Sequence, residues 1–211
     1  MRKLSIGMLF LAAAGCAMAQ QWEFGGVGGG AFLNTVNVSS SSGSATAGFE
    51  KSFVAGVFVG QTISPHISGE IRYEFMPSNL QLASGGTTAT FSGQAHTLHY
   101  DLLLRTGHKE GPVQFFAAIG GGMKIFRGTG TEAAYQPLSQ YGYFTKTQAL
   151  KPMASVGGGV VFRVSKHVNF RAEVRDFITA FPTQVITPPP GVKYPTLLHE
   201  LVPMAGLSYM F

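Results

Sequence analysis

The stretch Gln94-Ala-His-Thr-Leu-His-Tyr-Asp101 brings two histidines and an aspartate together. A histidine beside a carboxylate and a hydroxyl can activate a nucleophile: the acid orients the ring and the ring takes the proton. Spacing limits what this stretch offers. On a strand alternate residues face opposite sides, so His96 and His99 diverge while His99 and Asp101 share a face. A serine from elsewhere, such as Ser68 or Ser155, would have to complete the set. The six histidines otherwise show no H-x-x-E-H or related spacing, so no metal site is expected, and no cofactor motif stands out.

Charge supplies the second chemical resource. Glu70, Arg72, Glu74, Asp101, Arg105, Lys124, Lys151, Arg163, Arg171, Glu173, Arg175 and Glu200 all fall on one parity of alternating segments. Ile67, Gly69, Ile71, Tyr73 and Phe75 alternate with Ser68, Glu70, Arg72 and Glu74. Val168, Phe170, Ala172 and Val174 alternate with Asn169, Arg171, Glu173 and Arg175. One apolar and one charged face at period 2 is the pattern of a strand with lipid on one side and a polar lumen on the other.

Eight such segments are expected, at about 21–36, 47–63, 67–82, 91–106, 112–127, 149–165, 168–180 and 196–211. Their connections alternate in length. Ser64-Pro65-His66, Gly107 to Gly111, and Lys166-His167 are tight turns. The serine tract Ser39 to Ser44, the polar stretch Ser84 to Thr90, Gly128 to Gln148, and Pro182 to Pro195 are long loops. An even number of strands with short turns at one end predicts an all-β fold: an eight-stranded antiparallel transmembrane β-barrel with periplasmic turns and extracellular loops. Aromatics sort by height in that topology. Trp22, Phe24, Phe115, Phe162, Phe170, Tyr209 and Phe211 fall near the periplasmic end, and Phe32, Phe49, Phe75, Phe126 and Phe177 near the other, as two interfacial belts. A secreted sandwich or soluble barrel would carry the same alternation with the apolar face inside.

The N-terminus predicts export. Arg2 and Lys3 precede the apolar run Ile6 to Ala14, and Ala17-Met18-Ala19 forms an A-x-A site, so residues 1–19 read as a signal peptide and 20–211 as one barrel domain. Cys16, the only cysteine, lies in the leader. Cleavage after Ala19 leaves no thiol for a disulfide, metal or nucleophile. Charged residues are 12% of the chain, about half the usual share in a soluble domain. They are dispersed without a Lys/Arg block, which argues against nucleic-acid binding.

The chain closes on "PMAGLSYMF", with Gly206, Tyr209 and Phe211 placed as in the assembly signal of outer-membrane barrels. With the leader and the strand count, the mature chain resembles the small eight-stranded outer-membrane barrels of the OmpA/OmpX and OmpW type. That resemblance implies the bacterial outer membrane, insertion by the barrel assembly machinery as a transient partner, outer-membrane lipid around the barrel, and a monomer. Such a lumen barely holds side chains, so its charges are expected to pair into a hydrogen-bonded plug. The alternative is a narrow ion path, which the basic excess would bias toward anions. The loop aromatics Tyr135, Tyr141, Tyr143, Phe144, Phe181 and Tyr194 suit either an extracellular ligand or packing on one another.

Three functions remain open from sequence. The first is a non-enzymatic outer-membrane protein supporting envelope integrity or surface interaction through its loops. The second is a small porin or conduit for small or hydrophobic solutes, and the third a lipid-modifying enzyme. The glycine triplets at 28–30, 120–122 and 157–159 read as architecture. The first lacks the following helix that a phosphate-binding fingerprint needs, so all three are expected at membrane depth opposite bulky lumenal side chains.

Overall fold

The computed structural model describes residues 21–40, 43–106 and 111–211. The leader, Cys16, the cleavage site near Ala19 and most of the Gly107–Gly111 turn lie outside the described residues. Fourteen strands are present among those described: β1 (Trp22–Leu33), β2 (Val36–Ser40), β3 (Gly43–Phe49), β4 (Ser52–Ser64), β5 (Ile67–Met76), β6 (Leu80–Ser84), β7 (Thr87–Phe91), β8 (Gly93–Arg105), β9 (Val113–Gly128), β10 (Tyr143–Phe144), β11 (Gln148–Arg163), β12 (Val168–Ala180), β13 (Ile186–Thr187) and β14 (Leu197–Met210). Eight close a barrel in the order β1-β14-β12-β11-β9-β8-β5-β4, every pairing antiparallel and β4 returning to β1.

Cross-strand partners traced around the wall run from Phe32 through Leu201, Asp176, Val156, Ile119, Leu102, Gly69 and Gln61. The path re-enters β1 at Trp22, ten residues from its start. That stagger tilts the strands and fixes the barrel's narrow bore.

The wall is apolar outside and charged inside, which decides between a membrane barrel and a soluble one. Ile71, Leu98 and Ile119 are 56–60% exposed, while Arg72, Arg171 and Arg175 are 0% exposed. The periplasmic belt is on the outer surface: Trp22, Phe24, Phe115, Phe162, Phe170, Tyr209 and Phe211 are all exposed. The upper belt departs from expectation. Phe32 faces outward, but Phe126 and Phe177 point into the lumen and Phe49 is buried among apolar side chains at the barrel's outer end. Phe126 and Phe177 stand on the lumenal parity of their strands, shared with Lys124 and Arg175.

The long connections are more ordered than their polar composition suggested. Expected strands at 21–36, 47–63 and 67–82 each run past the barrel into a second element. β2 and β3, from the serine tract, and β6 and β7, from the second loop, form one four-stranded sheet in the order β2-β3-β6-β7. β10 pairs with β13 across the third and fourth loops. Val36, Val38, Leu80, Leu82 and Phe91 turn inward from that sheet onto Phe144, Val185 and Ile186, forming one core with the upper lumen. Asn37, Ser39, Thr88 and Thr90 stay exposed on its other face.

The glycines make the bore habitable. Gly56 lies across from Glu74, Gly120 from Asp101, Gly122 from His99, Gly157 from Arg175 and Gly159 from Glu173. A Cβ on Gly157 would lie 2.6 Å from Arg175 Cδ, and one on Gly159 2.7 Å from Glu173 Cβ. Every triplet lies within a barrel strand, with the lumenal glycines of β9 and β11 giving up volume to the charged neighbour. Gly26, facing lipid, has nothing nearer than 3.7 Å to its Cβ position. Gly157→Ala is therefore expected to destabilise the folded barrel by about 1–3 kcal/mol through overpacking. Gly26→Ala should leave it nearly unchanged, as checked by urea unfolding in lipid vesicles.

Candidate functional site

The lumen at mid-height is a layer of ions held between opposite walls. β5 supplies Glu70, Arg72 and Glu74 at period 2, and β12 supplies Arg171, Glu173 and Arg175 from the diametrically opposite position in the barrel. Arg72 donates through Nε and Nη2 to Glu70 Oε1 at 2.9 and 2.6 Å, and its Nη1 crosses the bore to Glu173 Oε1 at 2.5 Å. Arg171 Nη1 crosses the other way to Glu70 Oε2 at 2.7 Å. Arg175 donates through Nε and Nη2 to Glu173 Oε2 at 3.2 and 3.1 Å and through Nη1 to Asp101 Oδ2 at 3.0 Å. Two carboxylates, Glu70 and Glu173, thus each take more than one guanidinium.

Aromatic rings support the layer. Arg171 lies 4.4 Å from the Phe58 centroid and 5.2 Å from that of Phe116, which offsets the lack of acceptors for its Nε and Nη2. Above, Lys124 pairs with Glu200 and lies 5.1 Å from Phe126. Below, Arg105 donates to Ser68 Oγ at 2.9 Å and to Glu23 Oε2 at 3.1 Å, and Ser208 donates to Glu23 Oε1 at 2.5 Å.

Ten of the sequence-derived lumenal residues (Glu70, Arg72, Glu74, Asp101, Arg105, Lys124, Arg171, Glu173, Arg175 and Glu200) meet in this stack of layers. Arg163 lies instead at the periplasmic mouth, where it and Arg105, Gln114 and Asn169 line a cavity of about 20 Å³, room for about one water. Lys151 is half-buried beside Lys124. Glu23 is the member that sequence reasoning passed over. It stands inside the glycine-rich first strand, and the alternation Trp22-Glu23-Phe24 was the signal for it. With Glu23 counted, the buried lumenal ions are six carboxylates against Arg72, Lys124, Arg171 and Arg175, so the expected basic excess is absent at the constriction.

The histidine cluster divides by parity. His99 is buried in the lumen with Nε2 3.2 Å from Asp101 Oδ2. His96 faces lipid, where its Nδ1 lies 2.8 Å from the Tyr73 hydroxyl. Ser68 is held by Arg105, and Ser155 Oγ is buried without a hydrogen-bond partner. Asp101 also serves Arg175, and His99, Asp101 and Ser155 are all closed to solvent. The three side chains pack within the ionic interior of the barrel. Among the described residues no three His, Cys, Asp or Glu side chains stand close enough to hold a metal.

At the outer end the loop aromatics split between the two roles open to them. Tyr141, Phe144 and Phe181 are buried, while Tyr135 is 81% exposed and Tyr143 is exposed. Gln136 clamps β10 by donating to and accepting from the Phe144 backbone at 2.9 and 2.8 Å. Tyr194 donates to the Tyr141 carbonyl at 2.9 Å and packs on Phe181, and burial pushes its phenol pKa up. At the opposite end Gly206 lies in the last strand. Tyr209 and Phe211 sit edge to face at 5.1 Å on the outer surface, with the Phe211 amide donating to the Trp22 carbonyl.

Closed wall, apolar exterior and ionic lumen define an outer-membrane barrel, and sequence comparison agrees. Residues 6–188 match the family described as outer membrane protein beta-barrel domain, and the chain belongs to that family. Among solved structures it is similar to Neisserial surface protein A (NspA), with TM-score 0.53 and 12% identity over 90% of this chain and 97% of that one. It is likewise similar to the outer membrane protein OprG from Pseudomonas aeruginosa, with TM-score 0.52 and 14% identity over 90% and 95%. At these identities the likeness is one of fold. No curated protein matches it in sequence.

Removing Glu70 takes from buried Arg171 the carboxylate it bonds and from Arg72 one of the three carboxylates around it. Glu70→Gln is expected to cost about 3–5 kcal/mol. Replacing both members of the Lys124/Glu200 pair by apolar residues should cost less than removing Glu200 alone. Unfolding midpoints of the single and double variants check both statements.

Proposed function

We propose that this protein is a non-enzymatic outer-membrane barrel that contributes to envelope integrity or surface contact through its extracellular cap, with the lumen serving as a closed anchor. The observation that carries this reading is the burial of Arg72, Arg171, Arg175, Lys124, Phe58, Phe126 and Phe177, each below 2% exposed, through the central and upper bore. A conduit needs side chains that water can reach at every depth. Here ions bonded across the bore and rings packed above them fill the cross-section instead. The cap, by contrast, has a core of its own making with the barrel and an exposed polar sheet, which suits contact outside the cell.

Purified protein in planar bilayers is expected to give no steady unitary conductance; reproducible channel steps would overturn the closed-anchor reading. Replacing residues 36–49 and 80–91 with short turns should remove surface contact while keeping a folded, heat-modifiable barrel. Gly206, Tyr209 and Phe211 are assigned, as part of the same proposal, to recognition by the assembly machinery. Phe211→Ala should lower the folded fraction in cell envelopes, and an unchanged fraction would remove that assignment.

A further inference from the structure

Arg127 is the last outward-facing residue of β9, and Gln148, its cross-strand partner, is the first of β11. With Gly128, Thr129, Lys146 and Thr147 they line a cleft of about 350 Å³ on the outer rim. Gln94 flanks Arg127 from β8, so a polar row Gln94-Arg127-Gln148 crosses three adjacent strands. Below it the outer faces of β9 and β11 turn apolar at once, and that of β8 one step later, after His96: Leu98 is 58% exposed, Leu150 54%, Met123 43% and Ile125 36%. The row therefore lies where hydrocarbon gives way to headgroups.

The cleft has a fixed floor and unbalanced charge. The Gly128 amide donates to the Thr147 carbonyl at 3.0 Å, and the Thr147 hydroxyl donates to the Gln184 carbonyl at 2.7 Å. Glu132 accepts from the Lys146 main-chain amide at 2.5 Å. Among the described residues neither the Arg127 guanidinium nor the Lys146 ammonium has an ion-pair partner, in a protein whose lumenal cations are heavily paired. Other exposed cations differ. Lys51 lies over the Phe32 ring at 5.7 Å with Glu50 in its cleft, and Lys193 stands up in the fourth loop.

We propose that this cleft binds a phosphate carried on an outer-leaflet lipid headgroup. Arg127 would supply two parallel N–H donors and Lys146 a second charge, while the acyl chains lie along Leu98, Met123, Ile125 and Leu150. The geometry matches a phosphate that is membrane-anchored rather than free, because the cations sit at the rim of the apolar wall and not on the cap. The proposal rests on the outer-membrane placement alone and is independent of the role given to the cap and lumen.

The test is native mass spectrometry of the folded full chain in detergent with three probes: diphosphorylated lipid A, its dephosphorylated form and inorganic phosphate. Heat-modifiable migration verifies folding of each variant. Diphosphorylated lipid A should give a saturable adduct that weakens about tenfold or more in Arg127→Gln/Lys146→Gln, the loss expected for charge-assisted contacts. Arg127→Lys, which keeps charge but loses the two-donor fork, should fall between, and Lys193→Gln should match the wild type. Dephosphorylated lipid A and inorganic phosphate should each bind much more weakly. Equal lipid A binding by the double variant and the wild type, or equal binding of the dephosphorylated lipid, would overturn the site. Inorganic phosphate binding that depends on Arg127 without any lipid adduct would overturn the lipid as its source. The single variants Arg127→Lys and Lys146→Gln decide the matter if the double variant does not fold.

Discussion

The fold depends on the ionic contact between opposite walls of the bore, where Glu70 and Glu173 are shared among Arg72, Arg171 and Arg175. Eight strands enclose too little room for water to screen those charges, so each must find its partner across the diameter. Long arginines can span that distance, and their planar donors can serve two acids at once. Partner choice in turn sets where the wall must be thin. Gly157 and Gly159 yield to Arg175 and Glu173, and Gly120 and Gly122 to Asp101 and His99. Charge layer and glycine pattern are two halves of one solution to a crowded interior.

Above that layer the character of the interior changes. Phe126, Phe177 and Met204 lead from the lumen into Phe49, Leu82, Phe91 and Ile186 without a break, so the cap is packed onto the barrel as a lid with a shared core. The Lys124–Glu200 pair is the last buried ion pair before this apolar zone. Its neighbours Phe126 and Phe177 were the rings expected on the outer belt, and their inward turn is what builds the seal.

The barrel was legible because its signal is periodic. Apolar and polar or charged residues alternate in Ile67–Phe75 and Val168–Arg175, and parity assigns twelve ions to the lumen, ten of which meet in its stacked layers. Two kinds of feature escaped. Glu23 was hidden because its strand alternates for only three residues, Trp22-Glu23-Phe24, before glycines that carry no alternation of their own. The cap was hidden because its strands are short and rich in serine and threonine: Val36-Asn-Val-Ser-Ser and Thr87-Thr-Ala-Thr-Phe each offer only two or three inward side chains. Their order comes from pairing with one another, a long-range property that local composition does not encode. The rim cleft escaped for a similar reason, since Arg127 and Lys146 meet only through the β9–β11 connection.

The pairing of β3 with β6 joins hairpins from two separate loops into a single sheet. Seen from outside the cell, Asn37 and Ser39 from one loop therefore stand in the same plane as Thr88 and Thr90 from another, some fifty residues along the chain. The surface that any antibody or phage would meet is a composite, and a peptide copied from either loop alone would lack both its neighbours and the core that flattens it. Because β3 and β6 hydrogen-bond to each other, neither hairpin keeps its edge covered without the other, and the two loops form a single structural unit despite their separation in sequence.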